Sequence, residues 1–330
     1  MGGRALLSKG VATERKDTQT FNEIAEELRG RIGEDLLLET AIVKCFHTKE
    51  DHGDLDLLVK VKHKDFDFLG YINAEFRPHA TYVNANVISF DYRNFQIDFI
   101  KINPVSWETA QTYYSYDPLG NIMGKSYHKF NLSYGWNGLY YKFRNTHGSA
   151  ADIFITADAR KIFEFGGYDY DRYLQGFECL EEIYDFCIAG KYFNIETFKM
   201  ENLTQIDRKR NRKRKSYHEF LNYVGASSVT KAFEFNKDKD SYLPMIEAYF
   251  PEAKLMEKLD ALKEEDRLNN VIAQKFNGDI VMMWLPELQG KQLGAAMSLF
   301  KQSLGDEYRE FMLNSSYTTI QERFMKVYNE

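Results

Sequence analysis

The sequence, 330 residues long, predicts an α+β fold with a mixed front half and an all-helical back half. In the front half, residues 54–61 and 95–102 alternate large apolar residues with polar ones, which is typical of strands with one buried face. Beyond residue 176, apolar residues recur at spacings of three and four, which indicates amphipathic helices. Hydrophobic residues form 44% of the chain and charged residues 28%, a balance that favours a folded globular protein over a disordered one.

Capping residues, glycines and alternation predict the elements of the front half. Residues 17–31 predict a helix that Thr18 or Thr20 caps and that ends near Gly30 and Gly33. An apolar stretch and a polar turn come after this helix, and several strands come next. The predicted strands lie at 54–61, 81–90, 95–102 and 136–144.

Helices dominate the predicted structure from residue 156 onward. A short helix is expected over residues 156–166, because acidic residues lie early in this segment and two glycines end it. Thr156 is its expected N-cap. A boundary between the two halves is expected between residues 176 and 195. The helices predicted after it lie at 177–190, 207–225, 242–250, 251–263, 290–305 and 317–328.

The net charge of −6 hides a strong local asymmetry. Residues 207–215, DRKRNRKRK, contain seven basic residues and one acidic residue, a net charge of +6, so the rest of the chain carries −12. A total of this sign argues against a nucleic-acid partner, whereas the local distribution argues for one. The basic run therefore needs its own interpretation.

The cysteine count and the N-terminal residues predict a cytoplasmic protein. Three cysteines without a CxxC spacing suit a reducing compartment, and they argue against a disulfide framework and a structural zinc site. No apolar run approaches the roughly 20 residues that cross a bilayer, so no membrane partner is expected. Residues 1–20 lack the apolar core of a signal peptide.

The motif with the clearest chemistry is Gly53-Asp54-Leu55-Asp56 at the start of a predicted strand. Residues two apart on a strand share a face, so Asp54 and Asp56 project together, roughly 6.6 Å apart along the strand. Two neighbouring carboxylates repel each other unless a cation joins them, and hard oxygen ligands select Mg²⁺ or Mn²⁺. The alternative is a pair of acids that face water at a strand's start.

A third acid, Asp98, lies among apolar residues in FQIDFI, where an unpaired charge is costly. If this strand lies beside the first, three carboxylates meet in one cluster. Such a cluster can hold two divalent ions about 4 Å apart, one at the attacking hydroxyl and one at a triphosphate. The chemistry expected of it is phosphoryl or nucleotidyl transfer by in-line displacement.

With these residues, the sequence resembles the DNA polymerase β-like nucleotidyltransferase superfamily over residues 36–175. The palm of that family carries Gly-Asp-x-Asp and a third Asp on a following strand. The resemblance implies that Asp54 and Asp56 bind both metal ions, and that Asp98 helps bind the catalytic ion and the acceptor hydroxyl. It implies an α+β fold with a nucleotidyltransferase palm, a small thumb-like element and an all-helical C-terminal region.

The resemblance extends to residues expected to bind the nucleotide. Tyr113-Tyr114-Ser115 together with Asn121 is similar to the family-X stretch that contacts the sugar of the incoming nucleotide. Residues 131–140 and 156–168 are similar to later segments of that family, which reach into its thumb.

The family's glycine-serine pair, which cradles the triphosphate, is replaced here by Val43-Lys44. Lys44, with His47 or Lys49, is therefore expected to meet the triphosphate by charge, next to Gly53. The alternative, that Lys44 is a solvated loop residue, stays open.

The basic run is interpreted as a nucleic-acid contact, because Lys and Arg release condensed counterions from phosphates. The alternatives are a solvated helix face and a nuclear-localisation signal. A faint resemblance of residues 276–294 to the helical region of tRNA CCA-adding enzymes and bacterial poly(A) polymerases also suggests RNA. The residues assigned to this contact are Arg208, Lys209, Arg210, Arg212, Lys213, Arg214 and Lys215.

The sequence thus predicts three regions: a palm at 1–125, a thumb-like region at 126–190 and a helical nucleic-acid-binding region at 191–330. The predicted function is metal-dependent transfer of a nucleoside monophosphate from an NTP or dNTP to the 3′ end of an RNA, such as a tRNA, or of a DNA. One alternative is a catalytically silent nucleic-acid-binding protein with the same fold. Another is nucleotidyl transfer to a protein or a small molecule. The oligomeric state stays open.

Overall fold

The computed structural model describes residues 3–62, 65–146, 148–227 and 232–330 of the chain. Within this part of the chain the last strand ends at residue 156 and the later elements are helices, so the predicted α+β class is confirmed. The strands are β1 (Lys16–Asp17), β2 (Thr40–Ile42), β3 (Asp51–His52), β4 (Asp54–Lys60), β5 (Thr81–Asn84), β6 (Val87–Tyr92), β7 (Phe95–Ile102), β8 (Leu132–Gly135), β9 (Gly138–Arg144) and β10 (Ala150–Thr156).

The α-helices begin at residue 18, and their lengths range from 6 to 21 residues. They are α1 (Thr18–Leu36), α2 (Phe68–Phe76), α3 (Trp107–Tyr114), α4 (Leu119–Tyr127), α5 (Ala159–Phe165), α6 (Tyr170–Gln175), α7 (Leu180–Ala189), α8 (Gln205–Asn211), α9 (Lys215–Ala226), α10 (Leu243–Tyr249), α11 (Leu255–Lys275), α12 (Gly278–Trp284), α13 (Gly290–Leu304), α14 (Tyr308–Asn314) and α15 (Tyr317–Asn329).

A five-stranded sheet with the order β2-β4-β7-β6-β5 forms the centre of the front half. The two central strands, β4 and β7, run parallel to each other, and the other neighbours are antiparallel. Because side chains alternate across a strand, Leu55 and Leu57 of β4 and Ile97 and Phe99 of β7 share one face. That face packs against α1 and α2 in the main apolar core, so polar residues of β4 and β7 lie on the other face.

Helix α1 covers this core and is longer than its predicted range of 17–31. Its N-cap is Asp17, whose carboxylate accepts a hydrogen bond from the Thr20 N–H at 2.7 Å, rather than Thr18 or Thr20. The prediction that glycines at 30 and 33 end the helix was wrong, because Ile32 and Leu36 continue its apolar face into the core.

The predicted single strand at 81–90 is a hairpin of β5 and β6. The chain reverses between Asn84 and Val87, where Ala85 adopts a left-handed φ of 52°. Asn86 donates from its side-chain amide to the Lys101 carbonyl at 3.1 Å, and this anchors the turn to β7. The alternation of polar and apolar residues continues through this two-residue turn, so alternation alone cannot show that the chain reverses there.

A second sheet, with the order β10-β9-β8, comes after α3 and α4. Its strand β10 was not predicted, although Ile153 and Ile155 alternate toward a buried face. Thr156 closes this strand instead of capping a helix. The cap of α5 is Asp158, which accepts from the Lys161 N–H at 3.0 Å.

The basic run does not lie on one helix, so the helix predicted over 207–225 was wrong in that respect. Helix α8 ends at Asn211, the chain turns, and α9 begins at Lys215. Asn211 is completely buried, and its side-chain amide donates to the Asp207 carbonyl inside α8 at 2.9 Å. Arg214 has an extended backbone that no helix continues through.

The chain divides into two compact units. One unit comprises residues 1–142 and 152–255, and the other comprises residues 143–151 and 256–330. This division does not coincide with the predicted regions 1–125, 126–190 and 191–330, which describe expected roles and stay predictions. In the second unit, α11 to α15 pack around buried residues such as Phe276, Phe300 and Phe324.

The predicted helices at 177–190, 242–250, 290–305 and 317–328 are confirmed within a few residues at each end. In the described ranges, no helix combines the length and the apolar character that crossing a membrane requires.

Candidate active site

The three predicted carboxylates lie on one face of the central sheet. Asp54 and Asp56 begin β4, and Asp98 lies in the middle of β7. The parallel register places Asp56 directly opposite Asp98, and Asp54 opposite Gln96. Adjacent strands are about 4.8 Å apart, so the Asp56 and Asp98 backbones are direct neighbours. The leucines and aromatic residues between these acids point to the core and hold the strand pair in this register.

Burial and mutual repulsion both act on these acids, which are each half-buried. Burial is the main reason that the pKa of Asp56 lies well above its ordinary value, and the charges of Asp54 and Asp98 raise it further. Burial also raises the pKa of Asp98 to about 6, although hydrogen bonds from Ser89 and Gln96 oppose the shift. The cluster therefore holds more negative charge than its surroundings neutralise.

These residues fit divalent cations by their chemistry. Within the ranges that the structure describes, no three acidic, histidine or cysteine side chains already stand in a metal-binding arrangement. Asp98 instead accepts a hydrogen bond from the Gln96 amide at 3.0 Å. Nevertheless, adjacent carboxylates whose charges raise the pKa of Asp56 are the donor set that Mg²⁺ or Mn²⁺ stabilises. Asp54, Asp56 and Asp98 are the residues that would hold such ions.

The N-terminal segment reaches the carboxylates, a contact that the sequence did not suggest. The Gly3 N–H donates to the Asp54 carboxylate at 3.1 Å, and the Ala5 N–H donates to the Gln96 side-chain carbonyl at 2.8 Å. Gln96 in turn donates to Asp98, so two of the three acids are linked to this segment. Gly3 has a φ of +80°, and a Cβ added there would lie 2.2 Å from the Gly53 carbonyl oxygen.

A cavity of about 650 Å³ opens beside the carboxylates. Asp54 and Asp56 line it, and Asp98 does not. Of the residues expected to meet a triphosphate, Lys44, Lys49 and Gly53 also line it. His47 is outside the lining, because its imidazole pairs with Glu178 at 3.1 Å.

The residues expected to contact the nucleotide's sugar are divided between the cavity and the core. Tyr114 and Asn121 line the cavity. Burial, its main cause, raises the pKa of Tyr114 to about 12, so the phenol stays neutral and can donate a hydrogen bond. Ser115 is buried behind the cavity, where its hydroxyl accepts a hydrogen bond from the Lys44 N–H at 3.1 Å.

The basic run enters the same cavity. Arg210, Lys213, Arg214 and Lys215 line it, although they lie more than 110 residues after the last carboxylate. A hydrogen bond of 3.1 Å between the Asn121 and Asn211 side chains joins α4 to α8 and holds the run there.

The other three cations of the run are outside the cavity lining. Arg208 donates to the backbone carbonyls of Met200, Glu201 and Leu203 at 3.0–3.2 Å, whereas Lys209 and Arg212 are exposed.

Comparison with known proteins gives a distant match in fold. No family model and no curated protein matches the chain. A ternary P/T complex of polymerase beta from Leishmania infantum is 14% identical over 48% of this chain and 74% of that chain, with a TM-score of 0.37. A ternary gap complex of the same enzyme is 16% identical over 39% of this chain and 51% of that chain, with a TM-score of 0.32. Similarity at this level carries no conclusion on function, which depends on the residues of the site itself.

Proposed function

We propose that this protein is a metal-dependent nucleotidyltransferase that adds a nucleoside monophosphate from an NTP or dNTP to the 3′ end of a nucleic acid. The observation that carries the proposal is the parallel register of β4 and β7, which brings Asp56 beside Asp98 on the face that also bears Asp54. Asp54 and Asp56 line a cavity that cationic side chains also line. A site with both features suits a polyphosphate substrate together with divalent ions.

In this proposal the acceptor hydroxyl releases its proton to solvent and its oxygen attacks the α-phosphorus, a new P–O bond forms, and pyrophosphate leaves with the electrons of the broken P–O bond. Asp54, Asp56 and Asp98 would hold two Mg²⁺ or Mn²⁺ ions. When bound, these ions would favour the ionised acceptor hydroxyl and neutralise charge on the phosphates.

The chain's own residues would orient the substrates. Tyr114 and Asn121 would position the sugar through hydrogen bonds, and Lys44 and Lys49 would attract the phosphates. Gln96 would hold the Asp98 carboxylate in one orientation through its amide.

The test is an extension assay with labelled NTPs and dNTPs, Mg²⁺ or Mn²⁺, and single-stranded DNA, primed duplex DNA and tRNA as separate acceptors. We expect extension of at least one acceptor, and a loss of about a thousandfold in Asp56→Asn and Asp98→Asn, because several kcal/mol of transition-state stabilisation depend on these ligands. Asp260→Asn, the same change at an exposed position of α11, should keep full activity. Absence of transfer with every acceptor and both metals would refute the proposal.

A further inference from the structure

The basic run divides into a part that lines the cavity and a part that lies outside its lining. Arg210 lies on α8, Lys213 and Arg214 lie between α8 and α9, and all three line the cavity together with Asp56. Lys209 and Arg212 lie outside the lining, and they are exposed to solvent, as Arg210 and Lys213 also are. The cations of this one run therefore lie in two different places, the cavity lining and the surface outside it.

Asp117 connects the turn to the carboxylates. Its side chain accepts a hydrogen bond from the Ser216 hydroxyl at 2.5 Å and lies 3.9 Å from the Arg214 guanidinium. Asp117 also lines the cavity, and after burial it is among the charges that raise the pKa of Asp56. The turn is thus within electrostatic range of the site where the proposed reaction occurs.

Much of the positive charge at the cavity has no anionic partner. Arg15 pairs with Asp51 and Lys215 pairs with Glu219, both at the cavity. Arg210 and Lys213 form no ion pair with a carboxylate in the part of the chain that the structure describes. An anionic ligand would supply the missing charge.

The loop on the sheet side of the cavity has few free donors of its own. The Lys44 N–H donates to Ser115, and the His47 and Thr48 N–H groups donate to the Phe177 and Glu178 carbonyls at 2.9 and 3.0 Å. The Lys49 N–H donates to the Phe46 carbonyl within the loop. Since these four N–H groups are used internally, the loop offers fewer backbone donors for a phosphate cradle, and cations can supply the missing contacts.

We propose that Arg210, Lys213 and Arg214 bind the polyphosphate of the nucleoside triphosphate, while Lys209 and Arg212 contact the phosphodiester backbone of the acceptor. This inference rests on the proposed function, because it assigns the phosphate site of that same reaction. Arg214, with its planar fork of donors, suits two phosphate oxygens at once, and Lys213 acts as a mobile point charge.

The chain offers a matched pair of double variants for the test. Lys213→Ala/Arg214→Ala removes one lysine and one arginine from the cavity, and Lys209→Ala/Arg212→Ala removes the same charges outside it. Calorimetry with inorganic tripolyphosphate, with and without Mg²⁺, measures polyphosphate affinity independently of turnover. Fluorescence anisotropy with a labelled single strand, over a series of salt concentrations, measures backbone contacts.

We expect the cavity variant to weaken tripolyphosphate binding about tenfold or more, and the outer variant to change it by less than about twofold. The outer variant should reduce the salt dependence of strand binding by a slope of about 1 to 2. The swap Lys213→Arg/Arg214→Lys keeps both charges but moves the planar fork, so it should retain tripolyphosphate affinity better than the double-alanine cavity variant does.

An unchanged tripolyphosphate affinity in a folded cavity variant would overturn the inference, as would an equal loss in both double variants. If the cavity variant loses affinity for the strand alone, the cavity cations contact the acceptor and the inference also fails. If tripolyphosphate binding depends on the cavity pair but the wild-type protein transfers no nucleotide, the proposed reaction fails and the phosphate site stands.

Discussion

Asp56 on β4 and Asp98 on β7 are direct partners across a parallel strand pair, with Ser89 of β6 opposite Asp98 on its other side. The sheet thus holds two carboxylates in adjacent positions at half-buried sites, where the charge of Asp98 raises the pKa of Asp56. Favourable interactions elsewhere in the fold offset this repulsion, so the arrangement should have measurable effects on the free energy of unfolding.

Asp56→Asn should stabilise the protein when divalent ions are absent. The change removes one of two repelling charges and keeps the shape of the side chain, so the free energy of unfolding should rise by about 1 kcal/mol or more in EDTA. Adding Mg²⁺ or Mn²⁺ should raise the thermal midpoint of the wild-type protein and leave that of Asp56→Asn nearly unchanged. Asp260→Asn serves as the control, and an equal response to metal in all three proteins would contradict the prediction.

Gly3→Ala should release the N-terminal segment from Asp54. The left-handed φ of +80° disfavours alanine by about 1–2 kcal/mol, and the new Cβ would also collide with the Gly53 carbonyl. Gly10→Ala is a close control, because Gly10 has a φ of +81° and nothing within 4 Å of its added Cβ. Amide exchange measured on both variants should be faster at residues 3–5 in Gly3→Ala only. Similar exchange in the two variants would show that the contact with Asp54 does not depend on the close approach at Gly3.

Sequence reasoning identified the carboxylates because strand alternation shows which residues share a face. It could place Asp54 and Asp56 together, whereas the meeting of Asp56 with Asp98 needed an assumption about neighbouring strands. The observed register supplies that link. The correct prediction of α+β class has the same basis, since local periodicity reports local structure.

The rest of the site depends on contacts between residues far apart in the chain. Gly3 bonds to Asp54 across 51 positions, and Asn121 bonds to Asn211 across 90 positions. The basic run was therefore assigned to a separate helical region, because no local pattern shows that the α8–α9 turn enters the cavity. Asn211, in the middle of the run, makes this contact with Asn121, and its burial is seen only in the structure.

Arg208→Ala should lower stability without changing phosphate binding. The Arg208 guanidinium donates to three backbone carbonyls between residues 200 and 203, so its loss leaves these acceptors to water. Because the side chain is exposed, the cost should be about 1 kcal/mol rather than the larger value of buried charged bonds. Chemical denaturation measures this cost, with Lys209→Ala as the neighbouring control. A loss of tripolyphosphate affinity in Arg208→Ala would instead place this arginine in the phosphate site.

His52 should lower the free energy of unfolding as pH drops from 7 toward 4. Its ring is 2% exposed and stacks on Phe21 with a centroid distance of 3.9 Å. Burial, followed by the charge of Lys49, lowers the pKa of His52 to about 4, whereas an unfolded histidine titrates near 6.5. Between these values the unfolded chain binds a proton that the folded chain does not. The contribution of His52 to the free energy of unfolding, fully present above pH 6.5, therefore falls by at most about 3 kcal/mol as pH drops to 4.

The raised pKa values of Asp56 and Asp98 act in the opposite direction, so the measurement is the difference between wild type and His52→Phe in denaturant unfolding at each pH. That difference should shift in favour of His52→Phe as pH falls, and a difference that stays constant from pH 7 to pH 4 would show that His52 titrates alike in both states.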